Sequence, residues 1–151
     1  YFAVPMAKLV GDKGQVFALD VLKSALEGVE SKSKIEGVSN IKTIWSNLEI
    51  KGASKLEDQS VDLVLLANIL FQSQKKSEII AEAKRVLKND GRMVIIEWRP
   101  NTFLAPKEGW LISEGEAANL AESQGFKLKK KFTTDSHHYG LVFSKGKMID
   151  E

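Results

Sequence analysis

The residues best placed for chemistry are acids, amides and histidines standing where apolar runs stop. Asp20 closes the run Val16-Phe17-Ala18-Leu19. A carboxylate at the carboxyl end of a buried strand can accept hydrogen bonds from the vicinal hydroxyls of a ribose, so Asp20 is a candidate for holding a nucleotide cofactor. The same acid could instead cap the helix that follows. Val21 and Leu22 would then either pack on an adenine face or simply begin that helix. Asn68 follows Leu63-Val64-Leu65-Leu66-Ala67, the most apolar run of the chain, and either meets a ligand or caps the strand end. Asp62 stands at the opposite end of that run and is expected to be structural. Glu97, Trp98 and Arg99 close the run Met93-Val94-Ile95-Ile96. His137 and His138 are adjacent, and neighbours on a strand point to opposite faces. No third ligand accompanies them, so no metal site is expected. Lys127, Lys129, Lys130 and Lys131 could touch phosphate, but lysines on a strand edge also deter edge-to-edge association. The chain has no cysteine, which removes disulfides, thiolate zinc sites and a cysteine nucleophile.

The elements that must position these residues follow from periodicity. Residues 1–10 predict a helix with Phe2, Met6, Leu9 and Val10 on one face. Gly11 ends it, and a short strand over residues 15–19 follows. A helix over residues 22–33 contains Gly28 and is expected to be short or frayed. Residues 40–45 alternate as a second strand, and residues 46–58 form a polar loop. The run 63–67 predicts a central, fully buried parallel strand. Residues 75–88 predict an amphipathic helix with Ile79, Ile80, Ala83, Val86 and Leu87 inward. A turn at Asn89-Asp90-Gly91 leads to a strand over 92–98. After an irregular connection over 100–111, which carries Trp110, Ser113 and Glu116 form a capping box for a helix ending near Gly125. Strands over 126–133 and 139–144, separated by a short turn, make an antiparallel hairpin. Strand and helix alternate throughout. The fold class is therefore α/β, with a Rossmann-like, doubly wound, mainly parallel sheet that ends in an antiparallel hairpin.

At 151 residues the chain suits one domain. Apolar residues make up 43% and charged residues 28%, as in an ordinary globular protein. The net charge of +2 gives no reason to expect nucleic acid. No apolar run is long enough for a membrane span, and no signal peptide is visible, so a cytoplasmic location is the default.

Taken in order, residues 1–11, Gln15-Val16-Phe17-Ala18-Leu19-Asp20, Ser60-Val61-Asp62-Leu63-Val64, Arg85-Val86-Leu87-Lys88-Asn89-Asp90-Gly91-Arg92 and the closing Phe126 and His138-Tyr139-Gly140-Leu141-Val142-Phe143 resemble the class I S-adenosylmethionine-dependent methyltransferases. The similarity is greatest to the small-molecule branch that includes the ubiquinone/menaquinone-type enzymes, and it covers nearly the whole chain. The resemblance implies S-adenosylmethionine as cofactor and a small-molecule methyl acceptor as partner. It implies that Asp20 and Val21 hold the ribose and adenine, that Asn47 stands where the family carries an acid toward the adenine amino group, and that Leu48 offers its backbone N–H. It places Ala67 and Asn68 beside the methyl donor. Tyr1 and Phe2 would lie near the methionine part of the cofactor, with core packing the alternative for Phe2.

The resemblance also implies a central first strand followed by a glycine-rich loop, and the sequence opens where the first helix would start. The expectation is a single methyltransferase-like domain over residues 1–151, truncated at its N-terminus. An unrecorded segment, a partner segment, a homodimer or a closed-up sheet would then supply the pairing. Methyl transfer needs mainly orientation of nucleophile, methyl carbon and sulfur. A general base is required only if the acceptor must first lose a proton, and His138 and Glu97 are the candidates. Two other functions remain open: a non-catalytic methyltransferase-like binding or assembly domain, and a nucleotide-dependent oxidoreductase, since Asp20 would serve NAD equally.

Overall fold

The computed structural model describes residues 1–146. The chain divides into two compact units, one formed by residues 1–48 and 52–55, the other by residues 49–51 and 56 onward.

The first unit contains α1 (Ala3–Val10), β1 (Val16–Asp20), α2 (Lys23–Ile35) and β2 (Ile41–Trp45). β1 and β2 pair in parallel, from Val16 opposite Ile41 to Asp20 opposite Trp45, so both strands end at the same level. Parallel neighbours need a crossover, and α2 supplies it. Its thirteen residues run unbroken through Gly28, contrary to the expected fraying. α1 buries Val4 and Ala7, while Leu9 and Val10 are exposed. The inward face is thus the i, i+3 pair of smaller residues, not the larger apolar set the spacing suggested. The Asn40 side chain explains how the turn after α1 is fixed. Its amide donates to the carbonyls of Ala7, Gly11 and Gly14, taking up acceptors that the helix end leaves free.

The second unit contains β3 (Val61–Ala67), a 3-10 turn at Leu70–Gln72, α3 (Lys76–Val86), β4 (Leu87–Trp98), α4 (Glu114–Glu122), β5 (Lys127–Asp135) and β6 (His138–Ser144). Its sheet has the order β3-β4-β6-β5, with β3 parallel to β4 and the rest antiparallel. Met93, Ile95 and Glu97 stand opposite Phe143, Leu141 and Tyr139. All six are fully buried, and with Ile80, Ala117 and Ala121 they form the core. The inward residues expected on α3 are all buried. The Ser113–Glu116 capping box and the terminal hairpin form as expected.

Three expectations change. The strands fall into two sheets, so the fold is α/β with parallel and antiparallel strands, as expected, but the single mainly parallel sheet is divided. β3 is an edge strand of its sheet among the described residues, and Leu63 is 46% exposed where full burial was expected. The Asn89-Asp90-Gly91 segment is not a turn outside the strand. It is a bulge within β4, where the stretch from Leu87 to Arg92 stands opposite Val61 to Leu63. A side chain on Gly91 would strike the Leu87 side chain and the Asp62 carbonyl, which explains glycine there. No helix among the described residues is long and apolar enough to cross a membrane.

Candidate functional site

In the first unit, Asp20, Val21, Leu22, Trp45, Asn47 and Leu48 gather at the carboxyl ends of β1 and β2. The Leu22 N–H donates to Asp20 Oδ1 at 2.9 Å, so one carboxylate oxygen does the capping work. Oδ2 faces no protein donor among the described residues. Val21, Leu22 and Trp45 are 49%, 59% and 50% exposed, an unusual concentration of apolar surface at one strand end. The Trp45 indole N–H donates to the Val21 carbonyl at 2.8 Å and fixes the ring in place. Asn47 and Leu48 follow directly and are half-buried. Residue-by-residue reasoning overlooked Trp45. The signal was there: a large aromatic ending a strand just before a polar loop.

In the second unit, Ala67 ends β3 opposite Ile96, and the Asn68 N–H donates to the Ile96 carbonyl at 2.8 Å. Asn68 is held at φ 56°, a left-handed conformation that costs a non-glycine residue about 1–3 kcal/mol. Its Oδ1 is buried and accepts no hydrogen bond. A left-handed backbone and an orphaned buried acceptor thus fall on the same residue.

Glu97 is fully buried. Oε1 accepts the Phe71 N–H and Oε2 the Trp98 N–H, both at 3.1 Å, and the Leu70 N–H also bonds this carboxylate. Burial pushes its pKa up, while these donors and the nearby Lys76 oppose the rise. A carboxylate enclosed in this way holds the 3-10 turn after Asn68 against the end of β4.

Asp135 and His138 face one another across the β5–β6 turn. His138 Nδ1 lies 2.9 and 3.0 Å from the two Asp135 oxygens, and Oδ1 also accepts the N–H groups of His137 and His138. The His138 hydrogen bond leads the causes that hold the Asp135 pKa below its ordinary value. His138 stacks on Trp98 at 4.1 Å between ring centroids, and its Nε2 is buried without a partner. His137 bonds Thr102 Oγ1 through Nδ1 and meets the Phe103 ring edge-on. The two histidines thus have different partners, but His137 lies in the turn between β5 and β6, so the expected strand alternation does not set their directions. Asp135 was not singled out from the sequence, although its i, i+3 spacing to His138 across a tight turn was the available signal.

A cavity of about 290 Å³ is lined by Arg99, Pro100, Asn101, Ser113, Glu114 and Tyr139. Tyr139 follows His138 along β6, so the Tyr139 wall of this cavity lies on the opposite sheet face from the Asp135–His138 pair. Glu114 binds Arg99 at 3.6 Å and Lys131 at 3.2 Å, which gives at least one of the C-terminal lysines a structural role. Asp62 pairs with Lys88 at the amino end of β3, away from these residues. Trp110 is half-exposed, and its N–H bonds the Phe71 carbonyl.

Comparison with known proteins shows the family. A family model described as a methyltransferase domain matches residues 1–139. The ubiquinone/menaquinone biosynthesis C-methyltransferase UbiE of Marinomonas sp. is 33% identical over 96 residues, 63% of this chain and 37% of that protein. The demethylmenaquinone methyltransferase of Bacillus pumilus is 29% identical over 112 residues, 74% of this chain and 46% of that protein. The chain therefore spans less than half the length of these relatives. A solved SAM-dependent methyltransferase from Aquifex aeolicus superposes with TM-score 0.79 over 93% of this chain and 74% of its own, at 24% identity. The chain belongs to the methyltransferase-domain family, the class I S-adenosylmethionine-dependent methyltransferases.

Proposed function

We propose that this chain transfers the methyl group of S-adenosylmethionine to a small-molecule acceptor, as part of one Rossmann-like methyltransferase domain covering residues 1–151. The observation that carries the proposal is the end of β1 and β2, where a half-used carboxylate stands beside three exposed apolar side chains. Asp20 Oδ2 is suited to the ribose hydroxyls. Val21 and Trp45 offer a flat apolar surface of the kind an adenine ring covers. Asn47 can accept from, and the Leu48 backbone can donate to, the adenine edge. In the second unit, taken by itself, the orphaned amide oxygen of Asn68, next to Ala67, suits an ammonium group. Bound S-adenosylmethionine would supply an activated methyl on a sulfonium that leaves as a neutral thioether. The protein's part is binding, orientation and exclusion of water.

Calorimetry of the full chain with S-adenosylmethionine tests this reading. Binding heat and a raised melting temperature are expected. Asp20→Ala should weaken binding by about 10–100-fold, the loss of charge-assisted hydrogen bonds. No heat with the native chain overturns the proposal.

A further inference from the structure

Two arginines of the second unit are used in different ways. Arg85 is fully engaged: it reaches Asp58 at 2.6 Å, Glu82 at 2.7 Å and the Leu56 carbonyl at 2.7 Å. Arg99, which follows β4, is not. Its Nη1 stands 3.6 Å from Glu114 Oε1, beyond hydrogen-bond reach. No other acceptor among the described residues meets the guanidinium, although its side chain is only 34% exposed. A guanidinium carries five N–H donors in a fixed fork, and drawing it from water without hydrogen bonds is costly. An arginine serving only to fasten α4 to the sheet would close on its carboxylate to about 2.7–2.9 Å. Arg99 instead borders the cavity of about 290 Å³.

The surroundings of that cavity state what it would accept. Glu114 Oε2 lies 3.2 Å from Lys131 Nζ, so two cations share one carboxylate and one positive charge is left over. Tyr139 adds no negative charge, because burial raises its pKa and its hydroxyl donates to the Ile112 carbonyl. Ser113 Oγ accepts the Glu116 N–H, but its own hydrogen has no acceptor among the described residues. The exposed Asn101 amide makes no hydrogen bond among them either. Pro100 and Tyr139 supply an uncharged wall. A single negative charge balances the site, whereas a phosphate dianion would face Glu114 with charge to spare. The volume lies at the lower edge of the range of about 300–1,000 Å³ for small-molecule sites, so the ligand is small.

We infer that the cavity between the end of β4 and the start of α4 binds a small monocarboxylic acid with an apolar body, its carboxylate gripped by Arg99 and met by Ser113 and Asn101. The site lies within the second unit and needs no cofactor, so it stands or falls separately from the methyl-transfer reading.

The test is nitrogen-15 NMR of the full chain without S-adenosylmethionine, titrated with benzoate, acetate, benzamide and inorganic phosphate. Benzoate should shift the Arg99 Nε–H, the Ser113 amide and the Asn101 side-chain amide along one saturable curve, with a dissociation constant below about 1 mM. Acetate lacks the apolar body, benzamide lacks the charge and phosphate carries too much, so each should bind about 10-fold more weakly or worse. Arg99→Lys keeps the charge but loses the fork and should weaken benzoate by about 10-fold. Glu114→Gln removes the carboxylate that shares the guanidinium and should tighten benzoate and narrow its advantage over phosphate. Should Arg99→Lys fail to fold, Glu114→Gln decides. Absent or unsaturable shifts with benzoate, equal binding of any other probe, an undiminished Arg99→Lys affinity, or weaker benzoate binding by folded Glu114→Gln overturns the inference.

Discussion

Replacing Glu97 by glutamine should change the pH dependence of stability more than its size. The carboxylate is fully buried and accepts backbone N–H groups from Leu70, Phe71 and Trp98. Glutamine keeps one oxygen but turns an NH2 toward a donor, leaving at least one N–H unsatisfied at a cost of about 1–3 kcal/mol. The pH term runs the other way from that of an ordinary surface acid. Burial raises the folded pKa above the reference value of 4.5. The folded state then holds its proton where the unfolded state has lost it, so the contribution is complete below the unfolded pKa and declines as pH rises toward the folded one. The slope in that window approaches about 1.4 kcal/mol per pH unit. Urea titrations of native and Glu97→Gln protein from pH 4 upward would measure it. The native-minus-variant stability difference should fall with rising pH and then level off. A flat or rising difference would refute the account of Glu97 as a desolvated carboxylate clamping the turn after Asn68.

Other changes should be read in melting temperature, where a domain of this size shifts by about 2–4 °C per kcal/mol. Tyr139→Phe removes the buried 2.8 Å hydrogen bond to the Ile112 carbonyl and should cost about 1–2 kcal/mol. Ser113→Ala removes one half of the capping box of α4 and should cost about 1 kcal/mol. Gly140→Ala drives a methyl group into the Phe132 ring and should cost about 1–3 kcal/mol, relieved when Phe132→Leu is added.

Local chemistry was the most legible part of the sequence. Ser113 and Glu116 named the start of α4, and the 3.6-residue period of Ile79, Ile80, Ala83 and Val86 named the buried face of α3. The alternation of short apolar runs with helices gave the α/β class. Pairing across long separations was less legible. Periodicity could describe the run around Leu63 as apolar, but its edge position depends on which strands pair, and that is a property of the whole sheet. The Asn89-Asp90-Gly91 tripeptide has turn composition, and only the β3 partner reveals that it is absorbed as a bulge. At the candidate site, Asp20 and Asn68 could be found because they end apolar runs. The Trp45 anchor on Val21, the enclosure of Glu97 and the Asp135–His138 pair depend on cross-strand neighbours, which spacing alone does not specify.

The proposed cofactor site rests most directly on the end of β1 and β2. NMR of the full chain titrated separately with S-adenosylmethionine and with methionine, which lacks the adenosine half, would test it. The account predicts that S-adenosylmethionine shifts the Trp45 indole N–H and the amides of Leu22 and Leu48, while methionine leaves them in place. Unmoved signals with S-adenosylmethionine, or equal shifts with methionine, would contradict it.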